Sequence, residues 1–241
     1  MSLLRKLKAS AKLGAVAGGA TLGSFYIWTA DCRMQKRPKA MDAIMQSPIY
    51  QRLNPIPNPA YYDRCTRFVD YSQIKPELLE DARSGGSKLV SAFGGGVWGS
   101  LGFSLQRKIM ESIFRDEQTA HQLWDVDDIL QDDYNQGREF LAHFNVLTRT
   151  PSSILFRCGD FPSVAANGPR ANDGLVELSV VLEPEKQRAE FRFDSVMFQG
   201  ANKIDHDPPL LVAVLVKPFM TWGHQQYVKL LVETGIHNVL R

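Results

Sequence analysis

Residues 176–194 read VELSVVLEPEKQRAEFRFD, and this stretch decides the fold class. Apolar side chains stand at every second residue on both sides of a short charged turn: Val176, Leu178, Val180 and Leu182, then Ala189, Phe191 and Phe193. A period of two is typical of β-strands with one buried face. Proline among charged residues, as in the turn Glu183–Lys186, ends such strands. The stretch therefore predicts a β-hairpin with one apolar face.

A second hairpin is predicted upstream of the first. Residues Phe140–Leu147 again alternate with a period of two, and the strand Ile154–Cys158 follows after a Pro-Ser-Ser turn. On this pattern His143 lies opposite the apolar face, so we expect it to be exposed and without a role. The two hairpins together predict an antiparallel sheet with one apolar face.

The C-terminal residues return to helical spacing. Five positions fall within about 40° of one line on a helical wheel: Met220, His224, Tyr227, Leu231 and Gly235. We expect this stripe to cover the sheet. The apolar run 210–216 before it fits either a buried strand or a helix kinked at Pro218.

Helices are predicted before the sheet, at Pro76–Ala82 and Phe103–Arg115. Between them, residues 94–99 read GGGVWG and match the GxGxxG pattern of dinucleotide-binding loops, after a run Leu89–Phe93 that fits a short strand. A dinucleotide fold needs alternating strands and helices, whereas strands follow one another here. The glycines therefore predict a bend or a close backbone packing site.

Early helices, successive antiparallel strands and a terminal amphipathic helix predict an α+β domain, with a curved antiparallel sheet packed on a long C-terminal helix and preceded by an N-terminal apolar helix. This order resembles the helix-grip domains of the START and polyketide-cyclase-like (SRPBCC) superfamily, on the matching residues Lys217, Pro218, Phe219 and the segment His224–Leu231. The resemblance implies a hydrophobic cavity between sheet and helix that binds lipids, polyketides or similar small molecules. It implies no catalytic residue.

The N-terminus has the character of a leader. Arg5, Lys6, Lys8 and Lys12 precede an apolar segment, residues 13–30, whose 18 residues would span about 27 Å as a helix. That length is enough for a bilayer core, and import into mitochondria uses similar basic amphipathic starts. We expect a single-pass membrane protein, of the mitochondrial membrane first and of another intracellular membrane as the alternative.

These patterns divide the chain into three parts. Residues 1–40 form the leader, residues 41–60 a proline-rich spacer, and residues 61–241 a single α+β domain. The leader carries eight Lys/Arg and one acid, or +7, so the remaining chain carries 2 minus 7, or −5. A net acidic body argues against nucleic acid as a partner.

Recognised catalytic and metal-binding motifs are absent from the sequence. The three cysteines form no CxxC pair, the loop around His206 places adjacent side chains that converge poorly on one ion, and the Asp125–Asp133 cluster lacks the glycine of a calcium loop. We expect no metal and no cofactor. His224 and Arg192 are the weak candidates for catalysis, His224 because its position in the stripe suits an acid or base.

Three hypotheses for function follow. The first is a membrane-tethered domain that binds a hydrophobic molecule or lipid, with a ligand-binding set drawn from the sheet and the last helix: Phe191, Phe193, Met220, Trp222 and Tyr227. The second is a cyclase, isomerase or dehydratase-like enzyme of small-molecule (polyketide or other secondary-metabolite) biosynthesis that uses the same cavity. The third is an assembly factor at a mitochondrial membrane, which needs an exposed apolar patch.

Overall fold

The structure is a computed structural model that describes residues 23–35, 41–204 and 217–241. Its strands are β1 Arg33–Gln35, β2 Tyr61–Asp70, β3 Glu139–Phe140, β4 Phe144–Arg149, β5 Ser153–Gly159, β6 Asp173–Glu183 and β7 Arg188–Phe198. Its helices are α1 at residues 23–28, α2 Met41–Met45, α3 Pro48–Leu53, α4 Pro76–Arg83, α5 Lys88–Gly99, α6 Leu101–Phe114, α7 Val126–Gln131 and α8 Lys217–His237. The predicted α+β class with a C-terminal helix is confirmed.

The strands form one curved antiparallel sheet in the order β1-β2-β7-β6-β5-β4-β3. The predicted hairpin is β6 with β7, which pair from Asp173↔Phe198 to Glu183↔Arg188. The early strand β2 lies beside the last strand β7, and their register places Asp63 opposite Ser195. Side chains alternate across a strand, so both of these side chains point to the same face of the sheet, which is the face that α8 covers.

The upstream hairpin differs from its prediction in one place. Leu141 and Ala142 have left-handed backbone conformations, with φ of 51° and 61°, so the strand stops at Phe140 and restarts at Phe144. A period-two pattern does not reveal such a turn, because it reports only which residues are apolar. The turn moves His143 out of the strand alternation and leaves it half-buried rather than exposed.

Helix α5 includes Leu89–Phe93, the run whose sequence also fits a short strand. Ten of its twelve residues are buried, because the sheet, α7 and α8 surround it. A helix that is buried on all sides has no polar stripe, so its apolar run resembles a buried strand. The prediction of a strand at Leu89–Phe93 is therefore wrong.

The glycines of α5 are a close-packing site, as one of the two predictions had it. A side chain at Gly96 would collide with the carbonyl oxygen of Gly235 in α8, and one at Gly95 would lie 2.6 Å from the carbonyl oxygen of Leu130 in α7. In return, a side chain at Gly235 would lie 2.7 Å from Cγ2 of Val97. Helices α5 and α8 therefore touch backbone to backbone.

The expected proline-rich spacer packs against the domain. Ser47 caps α3 by accepting a hydrogen bond from the Tyr50 amide, and Tyr50 and Leu53 bury themselves with Phe198 on the outer face of the sheet. The Asn58 side chain then donates to the carbonyls of Gln199 and Asn202, so this segment is tied to the end of β7. Strand β1 likewise pairs with β2, which brings residues 33–35 into the sheet.

Two predicted segments fall largely or wholly outside the described residues. Of the apolar segment 13–30, only residues from 23 onward are described, and the run 210–216 and His206 lie within the gap at 205–216. Within residues 23–35, 41–204 and 217–241, no helix combines the length and apolarity that crossing a membrane requires. The membrane-spanning leader stays a prediction.

We expect Gly96→Ala to lower the free energy of unfolding by about 1–3 kcal/mol, because the added methyl group forces α5 and α8 apart. Gly223→Ala in α8 is the control, since no described residue lies within 4 Å of its added methyl group. That variant should gain up to about 1 kcal/mol from helix propensity. Urea unfolding of the two variants measures both effects, and equal midpoints would contradict the packing role of Gly96.

Candidate functional site

A cavity of about 540 Å³ lies between the sheet and helices α6 and α8. Its floor comes from β5, β6 and β7, its walls from the two helices, and one end from Trp98 of α5 and the turn before β4. The lining is mainly apolar and aromatic: Trp98, Phe103, Met110, Phe144, Val176, Phe193, Met197, Val228 and Leu231, with Gln106, His143, Cys158, Gly159, His224 and Tyr227. None of these residues carries a permanent charge.

Helix α8 places His224 over two buried polar side chains of the sheet, Ser195 and Asp63. The Ser195 hydroxyl donates to Oδ1 of Asp63 at 2.6 Å, and Nε2 of His224 lies 3.3 Å from Oγ of Ser195 and 3.6 Å from Oδ2 of Asp63. The Tyr61 hydroxyl donates to the same carboxylate at 2.9 Å. Burial, together with the Asp63 charge, raises the pKa of Tyr61, so the phenol stays a donor.

The positions of the protons in this hydrogen-bond network follow from the number of protons that each group can donate. An ionised carboxylate only accepts, so the single Ser195 proton goes to Asp63, and Oγ of Ser195 must accept from Nε2 of His224. In the neutral ring the proton therefore sits on Nε2. Nδ1 of His224 is left as an acceptor, and among the described residues it has no hydrogen-bond partner. The arrangement differs from a Ser-His-Asp triad, because one ring nitrogen faces both partners.

His143 is the second imidazole of the cavity. Its Nδ1 lies 2.6 Å from the carbonyl oxygen of Gly159, which can only accept, so Nδ1 carries the proton and Nε2 is free to accept. The ring stacks on Phe161 at 4.5 Å and meets Phe114 edge-on at 4.7 Å. The sequence did not indicate that His143 belongs to the site, because the left-handed turn before it contains no glycine.

The loop that carries Phe161 is held by two buried arginines. Arg157 forms a fully buried ion pair with Asp173 and also donates to the carbonyls of residues 165, 166 and 168. Arg170 donates to the carbonyls of Ala165 and Asp160. These hydrogen bonds hold the loop in place and, with it, the ring of Phe161 that stacks on His143. Nη2 of Arg170 has no partner among the described residues.

Cys158 lines the cavity as a protonated thiol. Burial raises its pKa to about 12, and the nearby Asp173 charge adds to the effect. A thiol nucleophile needs the opposite shift. All three cysteines are buried and free, so Cys158 is a lining group and not a nucleophile.

The predicted site residues separate into two groups. Phe193, His224 and Tyr227 line the cavity, and the Tyr227 hydroxyl donates to Oε1 of Gln106 across the gap between α8 and α6. Phe191 packs against Phe93 under α5 instead. Met220 and Trp222, near the start of α8, do not line the cavity, and 63% and 44% of their surface is exposed.

Arg192 does not reach the cavity. It alternates with Phe191 and Phe193 along β7 and so lies on the outer face of the sheet, where it forms an ion pair with Glu190. Arg192 is therefore no longer a catalytic candidate for this cavity. His224 is the one catalytic candidate from the sequence that the fold brings to the site.

Helix α6 has an exposed apolar row beside the cavity. Leu101, Leu105, Ile109 and Ile113 recur every four residues and are 49% to 72% exposed. The same helix lines the cavity through Phe103, Gln106 and Met110. The assembly-factor hypothesis requires an exposed apolar face of this kind, and it stays a prediction because nothing in the structure shows what covers the row.

A second cleft, of about 490 Å³, lies between residues 113–122 and the loop at 161–166. Its lining includes Asp116, His121 and Glu139, and the last two are 4.0 Å apart, with His121 exposed and Glu139 half-buried. Within the described residues, no group of three His, Cys, Asp or Glu side chains is placed to hold a metal ion. The cavity under α8 is therefore the stronger candidate site.

Comparisons with known protein families, curated proteins and solved structures give no match for this chain. The class that the fold and site define is thus an α+β domain with an uncharged, largely apolar cavity under its C-terminal helix. The helix-grip resemblance stays a prediction, and the function has to be inferred from the cavity itself.

We expect the two cavity histidines to be opposite tautomers at a pH where both rings are neutral. His224 should carry its proton on Nε2 and His143 on Nδ1, because Ser195 and the Gly159 carbonyl each require a donor. Long-range ¹H–¹⁵N NMR on the histidine-labelled chain distinguishes the two forms. The exposed His121 is the internal control and should show a mixture. A proton on Nδ1 of His224 would show that the Ser195 hydroxyl does not donate to Asp63.

Proposed function

We propose that this chain binds a hydrophobic small molecule or lipid in the cavity between the sheet and α8. The observation that carries the proposal is a 540 Å³ space with an apolar and aromatic lining between the sheet and helices α6 and α8, open in part to the surface. It reaches into the core of the domain, because almost fully buried core residues line it: Trp98, Phe103, Phe193 and Leu231. Its volume lies within the range of known small-molecule sites.

The arrangement of the sheet supports the proposed helix-grip relationship. The first long strand β2 pairs with the last strand β7, and α8 lies across this pair. That topology brings the two ends of the domain together around the cavity, as the resemblance to the START and polyketide-cyclase-like superfamily implies. The proposed tether to a membrane rests on residues 13–30 of the sequence alone.

An enzyme that uses the same cavity is the second candidate function. The observation that favours it is the hydrogen-bonded chain from His224 through Ser195 to Asp63, since Asp63 is only 1% exposed and His224 lines the cavity. A buried carboxylate behind an imidazole can orient the ring and stabilise its charged form, which suits a general base. Proton transfer in an isomerase or dehydratase-like reaction needs such a group.

We expect the purified chain to carry a hydrophobic molecule that native mass spectrometry and organic extraction detect. Val176→Phe should abolish this binding and keep or raise the melting temperature, because the larger ring fills the cavity floor. Val181→Phe on the outer face of the same strand is the matched control, since Val181 is 37% exposed and lies away from the cavity. Retained ligand in Val176→Phe would place the binding site elsewhere.

Turnover separates the two candidate functions. If the cavity is an active site, the wild-type chain should change the mass of the extracted ligand during incubation, and His224→Phe should bind the ligand without changing it. Chromatography coupled to mass spectrometry follows the conversion. An unchanged ligand in the wild-type sample would favour binding without catalysis.

A further inference from the structure

The cavity favours a neutral ligand. Asp, Glu, Lys and Arg are absent from its described lining, and its polar groups are two imidazoles, a thiol, a phenol, a side-chain amide and an indole. A charged ligand would lose part of its hydration there without gaining a counter-ion, which disfavours its binding relative to a neutral molecule. The Asp63 carboxylate lies behind His224, 3.6 Å from its Nε2, and it repels anions in particular.

His224 offers that ligand a strong acceptor. Its Nε2–H is used by Ser195, so Nδ1 is the only ring nitrogen left for a bound molecule. The chain onward to Asp63 polarises the ring, because each hydrogen bond in a buried network strengthens the next. The edge-on contact with Tyr61, at 5.6 Å between ring centres, holds the imidazole in this orientation.

The cavity also contains a donor without a partner. Gln106 lines it, its Oε1 accepts from the Tyr227 hydroxyl, and its side-chain N–H groups have no hydrogen-bond partner among the described residues. An oxygen of the bound molecule can accept from them. A ligand that satisfies this donor and the His224 acceptor needs an accepting oxygen and an O–H, and a hydroxyl group supplies both.

We propose that the cavity takes a neutral apolar molecule bearing a hydroxyl group, an alcohol or a phenol, whose O–H donates to Nδ1 of His224. The proposal rests on the cavity function proposed above and adds the polar chemistry of its ligand. The aromatic lining of Trp98, Phe144 and Phe193 suits a flat ring system as the apolar part.

The test compares three probes of one shape in calorimetric titrations of the full chain at neutral pH: 1-naphthol, 1-methoxynaphthalene and 1-naphthoate. The naphthol donates and accepts, the methyl ether only accepts, and the naphthoate is an anion. We expect the naphthol to bind about tenfold more tightly than the ether, since a buried hydrogen bond contributes on the order of 1 kcal/mol. The naphthoate should bind most weakly.

Two variants assign the effect to a residue. His224→Phe keeps the ring shape and removes the acceptor, so the naphthol and the ether should bind equally. His121→Phe is the matched control, because this imidazole is 69% exposed and lies outside the cavity, and the tenfold preference should persist. The comparison of probes on the wild-type chain decides the proposal even if a variant fails to fold.

The outcomes distinguish this inference from the proposed function. Equal binding of the naphthol and the ether to the wild-type chain, or tightest binding of the naphthoate, would overturn the hydroxyl ligand and leave a hydrophobic cavity in place. A preference that survives in His224→Phe would overturn the role of that imidazole. No binding of any probe, together with an empty cavity in mass spectrometry, would overturn the binding function itself.

Discussion

The backbone contact between α5 and α8 is the constraint on which the rest of this structure depends. Because Gly96 and Gly235 carry no side chains, α8 can lie against α5 at a distance that no other pair of residues allows. From that contact α8 runs eleven residues, or about 16 Å, to His224. The close contact at this end of α8 therefore contributes to where His224 lies over the sheet.

The two faces of the sheet divide the chemistry of the domain. Along β7, Phe193 and Ser195 point toward α8, and Arg192 and Asp194 point the other way, where Asp194 pairs with Arg64 of β2. The pairs Asp194–Arg64 and Arg192–Glu190 thus lie on the outer face, whereas Arg67 of β2 pairs with Glu233 of α8 on the inner face. The inner face is apolar apart from a few buried polar groups, including Ser195 and Asp63, which meet beneath His224. Two imidazoles and one side-chain amide give this pocket a hydrogen-bonding pattern, and its described lining contains no Asp, Glu, Lys or Arg.

Much of the fold could be predicted, and the failures have identifiable causes. The hairpin β6–β7 and the terminal helix were predictable because a half-buried strand and an amphipathic helix repeat their apolar residues with fixed local periods. The strand predicted at Leu89–Phe93 was wrong because a fully buried helix has no such period. His143 was misplaced because two consecutive left-handed residues, Leu141 and Ala142, break the alternation without glycine or proline. Arg192 was a predicted catalytic candidate, but it lies on the outer face of the sheet, whereas its neighbour Phe193 lines the cavity.

By itself, the sequence determined the class of the domain, the curved sheet's apolar face, the helix that covers it and the candidacy of His224. These features depend on residues a few positions apart, so their pattern is visible along the chain. Only the tertiary structure decided that His224 meets Ser195 and Asp63, and that His143 and Trp98 share its cavity. Asp63 and Ser195 are 132 residues apart, and the pairing of β2 with β7 that joins them follows from how the whole sheet closes. No local period carries that information, because register between distant strands is chosen by the packing of every element at once.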